Sequence, residues 1–73
     1  MSRLLLDCGE ALYGAQWQTA IARDLGVSDR TVRRWVAGSA DLPPGVYVDL
    51  LRLTQERAAR LDALAPQLRE AGN

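Results

Sequence analysis

The sequence predicts an all-α protein, a compact bundle of four to five helices with a long C-terminal helix. Apolar residues recur at three- and four-residue spacing along most of the chain, which is the period of a helix with one buried face. Glycines and a proline pair divide these periodic segments, at Gly14, Gly26, Gly38 and Pro43-Pro44. No helix breaker then occurs from Val46 to Leu64, so the last helix is expected to be the longest.

Length and composition indicate one small globular domain. We expect residues 1–73 to fold as a single unit, and the hydrophobic content of 48% argues against disorder. Nine arginines balance nine acidic residues, without lysine or histidine, so the formal net charge is zero. A nucleic-acid-binding domain is usually basic. The charge is uneven, however, because residues 15–37 carry four arginines and only two aspartates.

Several classes of function have little support in these residues. Cys8 is the only cysteine and histidine is absent, so we expect no internal disulfide, zinc site or other metal site. We interpret Cys8 as a small buried residue, and Asp24 and Asp29 as surface and helix-start charges rather than an acid–base pair. We therefore expect no enzyme activity, cofactor or small-molecule substrate. The absence of a leader-like or membrane-length apolar segment predicts a cytoplasmic protein without a membrane partner.

The first helix is expected at residues 3–13, with Ser2 as its N-cap. Gly9 lowers the stability of this helix and suggests close approach of another helix. Tyr13 and Trp17 flank the following turn and are interpreted as core residues. The position of Trp17 before the second helix leaves open a contact from its indole N–H to a phosphate. The expected inner face of the first helix consists of Leu4, Leu5, Cys8, Ala11 and Leu12.

Two further helices, at about 16–25 and 28–37, are predicted to be joined by a tight turn. Gly26 suits the left-handed conformation that ends a helix, and Val27 is expected to fill the corner between the two helices. Ser28 stands in N-cap position, with Asp29 just inside, where a negative charge is favourable. The apolar stripe of the second helix is Ile21, Ala22 and Leu25, and that of the third is Val32, Trp35 and Val36.

The outer face of the third helix is the most informative feature. At about 100° per residue, Arg30, Arg34 and Ala37 lie opposite the apolar stripe, flanked by Arg33 and Thr31. A helix fits the major groove of duplex DNA, where a guanidinium can donate two hydrogen bonds to O6 and N7 of guanine. This face therefore predicts a nucleic-acid interface.

Residues 18–38 resemble the helix-turn-helix of the lambda-repressor/Cro-type DNA-binding proteins. The SDRTVRRW run and the later Gly38 and Pro43-Pro44 resemble small phage and prophage regulators. The resemblance implies that the second helix of the motif enters the major groove, and that Gln18 bonds a phosphate. Asp41 departs from the family pattern, since a loop facing phosphate favours a basic or neutral residue. The matching positions are Ile21, Ala22, Leu25, Gly26, Val27, Val32 and Trp35.

We therefore predict a sequence-specific transcriptional regulator, a repressor or autoregulator of phage or prokaryotic origin, that binds a palindromic operator. Arg30 and Arg34 are assigned to bases, and Arg33 to a phosphate or a base. For Asp29, a bond from a cytosine amino group and stabilisation of the helix start both stay open. The predicted DNA-binding residues are Gln18, Ser28, Asp29, Arg30, Thr31, Arg33 and Arg34.

The last helix, at about 44–65, is predicted to join two chains into a homodimer. Its apolar stripe is longer than three short helices can cover, and an exposed stripe usually marks an interface. Pro66 is expected to end or kink the helix. The alternative is a monomer in which the chain folds back and covers its own stripe. The predicted dimerisation residues are Leu50, Leu51, Thr54, Ala58, Leu61, Leu64 and Leu68.

Two other functions share this predicted fold. One is a protein-binding module, antitoxin-like or in contact with polymerase, and the zero net charge favours it. The other is a DNA-binding subunit of a recombination or packaging system.

Overall fold

The computed structural model describes residues 3–73, and within that range it contains four helices and no strand. The predicted all-α fold with a long C-terminal helix is confirmed, and the second and third helices each begin one residue later than expected. The predicted cap at Ser2 lies outside the described residues. The helices are α1 (Arg3–Tyr13), α2 (Trp17–Leu25), α3 (Asp29–Ala37) and α4 (Pro44–Ala71).

A single apolar core joins the four helices near the N-terminal end of α4. The helix α1 packs against α2 and α4, and α2 also packs against α3. Only the beginning of α4 takes part, because Val46 and Leu50 are its buried residues. The core cluster consists of Leu5, Trp17, Ile21, Ala22, Val32, Trp35, Val46 and Leu50.

The buried face of α1 is rotated relative to the prediction. Leu4 and Ala11 were expected to face the core, but both are exposed, and Cys8 is only half-buried. The three-leucine run left the sequence open to this error, since adjacent leucines point about 100° apart on a helix. Leu5 and Leu12 are buried as predicted, and Gly9 lies with them in one stripe at four- and three-residue spacing.

Gly9 lies where α1 meets Trp17. A Cβ atom at Gly9 would stand 2.2 Å from two ring carbons of Trp17, so no larger residue fits without displacing the indole. Trp17 itself is 4% exposed. The close approach at Gly9 and the core position of Trp17 are both confirmed. The alternative contact from the Trp17 indole N–H to a phosphate stays a prediction.

The turn between α2 and α3 has the expected chemistry. Gly26 adopts a left-handed conformation with φ of 72°, and its N–H donates to carbonyls in the last turn of α2. The Val27 N–H donates to the carbonyl of Ala22 over 2.9 Å, and the Val27 side chain packs against the core cluster. These contacts fix where α3 starts relative to α2.

The helix α4 continues through Pro66 to Ala71, so the predicted end near residue 65 is wrong. Pro66 removes only one backbone N–H donor from α4. The helix continues because the alanine, leucine and glutamine residues around Pro66 favour helix. The Gln67 side-chain amide also donates to the carbonyl of Ala63 over 3.1 Å. The alternative that the chain folds back is also wrong, because residues 58–73 are all exposed.

None of the helices in residues 3–73 has both the length and the apolar content that crossing a bilayer requires.

Candidate nucleic-acid interface

Ser28 defines the start of α3. It has extended backbone geometry, with φ of −80° and ψ of 156°, and its Oγ accepts a hydrogen bond from the Thr31 N–H over 3.1 Å. The two hydroxyls of Ser28 and Thr31 are also 3.0 Å apart. This is the N-cap geometry that the sequence predicts, and it satisfies one of the free N–H groups of the first turn.

The outer face of α3 carries three exposed arginines. Val32 and Trp35 are buried beneath it, so the helix has one enclosed side and one open side. Within residues 3–73, no ion pair involves the exposed arginines of α3, and their guanidinium groups stay available to an external acceptor. These exposed residues are Arg30, Arg33 and Arg34, as predicted.

Asp29 connects the starts of α2 and α3. Its Oδ2 accepts a hydrogen bond from the Thr19 hydroxyl over 3.2 Å, and its side chain is half-buried. Because Thr19 lies in the first turn of α2, the N-terminal ends of the two helices lie side by side. Of the two predicted roles of Asp29, helix-start stabilisation has direct geometric support here.

The start of α2 has no side-chain cap for its first backbone N–H groups. Gln16 occupies the N-cap position, but its side chain makes no capping hydrogen bond. Uncapped N–H groups at a helix N-terminus favour an anion. Gln18 is half-buried at this end of α2. A shallow depression of about 250 Å³ lies here, lined by Ala15, Gln16, Gln18 and Thr19.

A polar contact away from α3 joins α1, α2 and α4. The Tyr13 hydroxyl donates to Asp24, and the Arg57 guanidinium lies 5.6 Å from the centre of the Tyr13 ring while donating to the Leu12 carbonyl. Burial and the Asp24 carboxylate raise the pKa of Tyr13 to about 12. The sequence predicted only core packing for Tyr13, because no spacing rule relates residues of three different helices.

The predicted dimerisation residues differ in exposure and form three groups. The prediction is wrong for Leu50, which is 3% exposed and belongs to the core of its own chain, so it has very little area to offer a partner. Thr54 is half-buried, and its hydroxyl donates to the Leu51 carbonyl over 2.8 Å. The others are exposed, namely Leu51, Ala58, Leu61, Leu64 and Leu68.

Comparison with protein-family models, curated proteins and solved structures finds no match to this chain. The helix-turn-helix resemblance of residues 18–38 therefore stays a prediction, and the geometry of α2 and α3 is what bears on function.

Proposed function

We propose that this chain binds duplex DNA sequence-specifically as a homodimer and regulates transcription, as a repressor or autoregulator in a bacterial or phage-infected cytoplasm. The observation that carries the proposal is the outer face of α3. Three exposed arginines lie there on a short helix whose opposite side is anchored by Val32 and Trp35. A rigid helix with free guanidinium groups matches the width and the acceptors of the major groove.

The neighbouring start of α2 supplies the second part of the proposal. The hydrogen bond from Thr19 to Asp29 holds the two helix N-termini side by side. When α3 enters the groove, free N–H groups of α2 and the Gln18 side chain would face the adjacent phosphate backbone. Phosphate contacts of this kind set the orientation of a protein on DNA, whereas Arg30 and Arg34 would read bases.

The alternative is a protein-binding module that keeps the same fold. Zero net charge favours it, because sequence-independent attraction to phosphate is then weak. DNA binding needs only a local excess, and α3 has three arginines against Asp29. Selection of binding sites from random duplexes tests the proposal directly. Enrichment of a palindrome supports it, and no enrichment supports the protein-binding module.

The affinity for DNA is expected to fall steeply as salt concentration rises. Each phosphate that an arginine neutralises releases counterions, and the slope of log K against log salt is about −0.9 per phosphate. Titration of a fluorescent operator duplex at several salt concentrations measures this slope. Several phosphates per dimer are expected. A slope equivalent to only about one or two phosphates on every duplex would favour the protein-binding module.

Arg30→Ala and Arg34→Ala are each expected to change the preferred base at one position per half-site. A bidentate contact to guanine contributes roughly 1–3 kcal/mol of discrimination. Repeating the selection with each variant measures the change, with Arg60→Ala, an exposed arginine of α4, as the control. Equal weakening on all sequences would instead mean that these arginines contact phosphates. Loss of helicity would contradict the assignment of both side chains to the outer face.

A further inference from the structure

The helix α4 carries an uncharged stripe that its own chain leaves open. Its positions are four and three residues apart in turn, the spacing of a coiled-coil seam. All of them except Thr54 are exposed, and Leu61 and Leu68 have exposed fractions of 58% and 71%. We call this stripe the α4 seam; it comprises Tyr47, Leu51, Thr54, Ala58, Leu61, Ala65 and Leu68.

The two halves of the α4 seam differ in shape. In the first half, α1 lies alongside α4, and the two helices enclose a groove of about 200 Å³ with Leu4 on its edge, 58% exposed. In the second half, no other helix of residues 3–73 covers α4, because its side chains from residue 58 onward are all exposed, so Leu61 and Leu68 form a ridge. The residues that line the groove are Leu4, Cys8, Tyr47, Leu50, Leu51 and Thr54.

The accessible surface area of the chain is larger than that of a typical folded monomer of the same mass. The accessible surface is 5227 Å² for a mass of 8.0 kDa. Folded monomers of that mass expose about 4,450 Å² by the usual scaling of surface with mass. The excess of roughly 800 Å² equals the share that one partner contributes to a stable interface of standard size.

We propose that the groove is filled by the ridge of a second copy, so that two α4 helices pair in antiparallel orientation. A two-fold axis near residues 59 and 60 would place the ridge of each copy in the groove of the other. Leu51 would then face Leu68 of the second copy, Thr54 would face Ala65, and Ala58 would face Leu61. Small residues oppose larger ones at the centre, which lets the helices approach closely.

An antiparallel pair fits the shape of this surface better than a parallel pair. A parallel pair would set groove against groove, and two concave surfaces leave a void that loses packing contacts. It would also leave Leu4 without the ridge that fills the groove. The antiparallel pair brings opposite helix dipoles together as well.

The antiparallel pair deepens the proposed function. It rests on that function only where the spacing of the two recognition helices on DNA is concerned. The three short helices attach to α4 at Val46 and Leu50. In the antiparallel pair, the equivalent attachment points would lie roughly 30–40 Å apart at 1.5 Å per residue. Two recognition helices that read adjacent turns of one DNA face need a separation of about 34 Å.

Disulfide formation between single-cysteine variants tests the orientation without DNA. Cys8 is replaced by alanine, and Leu51→Cys and Leu68→Cys are made separately in that background. Copies of residue 68 in an antiparallel pair would be about 25 Å apart along the axis, and a disulfide requires Cα atoms within about 7 Å. We therefore expect little cross-linking of either variant alone and rapid cross-linking when the two are mixed.

The control is Ala59→Cys, on the opposite side of α4 from Leu68, which should not cross-link with Leu68→Cys above the collision rate. Circular dichroism of each variant verifies the fold before oxidation. Rapid cross-linking of Leu68→Cys with itself would overturn the proposal in favour of a parallel pair. Cross-linking of the mixture at no more than the Ala59→Cys rate would overturn it as well. A dimer that cross-links as expected but selects no DNA sequence would contradict only the proposed function.

Discussion

Leu61→Glu is expected to convert the proposed dimer into a folded monomer and to weaken the proposed operator binding by about 10²–10⁴-fold. The substitution places a carboxylate in the α4 seam, where desolvation of a charge is costly. Leu61 is 58% exposed in the single chain, so the fold itself should tolerate the change. Loss of the linked second half-site removes the gain in affinity that two joined binding domains provide. Sedimentation equilibrium and DNA titration measure the two effects.

Val48→Glu is the matched control for this prediction. Val48 is also on α4 and 67% exposed, but it points away from the α4 seam, so its replacement should leave the dimer intact. A Leu61→Glu protein that sediments as the wild-type dimer would place the interface elsewhere. A wild type that is monomeric at micromolar concentration would end the dimer hypothesis altogether.

Gly9→Ala is expected to destabilise the fold by about 1–2 kcal/mol, although alanine is the better helix former. The gain in helix propensity is about 1 kcal/mol. It is outweighed because the new Cβ would stand 2.2 Å from the Trp17 ring, which is only 4% exposed and would have to move within the core. Overpacking of this kind costs typically 1–3 kcal/mol and occasionally more. For a domain of this size each kcal/mol lowers Tm by about 4–8 °C.

Thermal unfolding followed by circular dichroism measures this loss, with Gly45→Ala as the control. Gly45 also lies in a helix, but a Cβ there would meet no atom within 4 Å. This second substitution should therefore stabilise the protein by up to about 1 kcal/mol. A Gly9→Ala protein that melts at or above the wild-type temperature would show that Trp17 moves aside without cost.

The sequence alone predicted those parts of the fold that depend on residues close together along the chain. Helix spacing, the left-handed turn at Gly26 and the cap at Ser28 are local, and all three are confirmed. The open face of α3 was also predictable, because a short amphipathic helix has only one way to bury its stripe. The roles of Arg30 and Arg34 on DNA stay predictions.

The remaining features depend on contacts that no local pattern specifies. In α4, buried and free leucines lie on one continuous stripe, so periodicity did not separate Leu50, in the core, from Leu61, outside it. The same limit applies to Leu4. It is exposed because α1 packs against Trp17 with the face that carries Gly9. The contact from Tyr13 to Asp24 spans two helices, and its partners were visible only once those helices were packed.

The uncovered end of α4 has a consequence for the lifetime of the protein in a cell. From residue 58 onward all side chains of α4 are exposed, and an isolated helix of only about 12–15 residues is marginal in water. In a lone copy this end should open readily to proteases, whereas pairing would shield it. Copies present at low concentration would then be degraded faster than paired ones. Abundance and turnover would be coupled through a single helix, and under the proposed function this coupling would sharpen the change between a bound and a free operator.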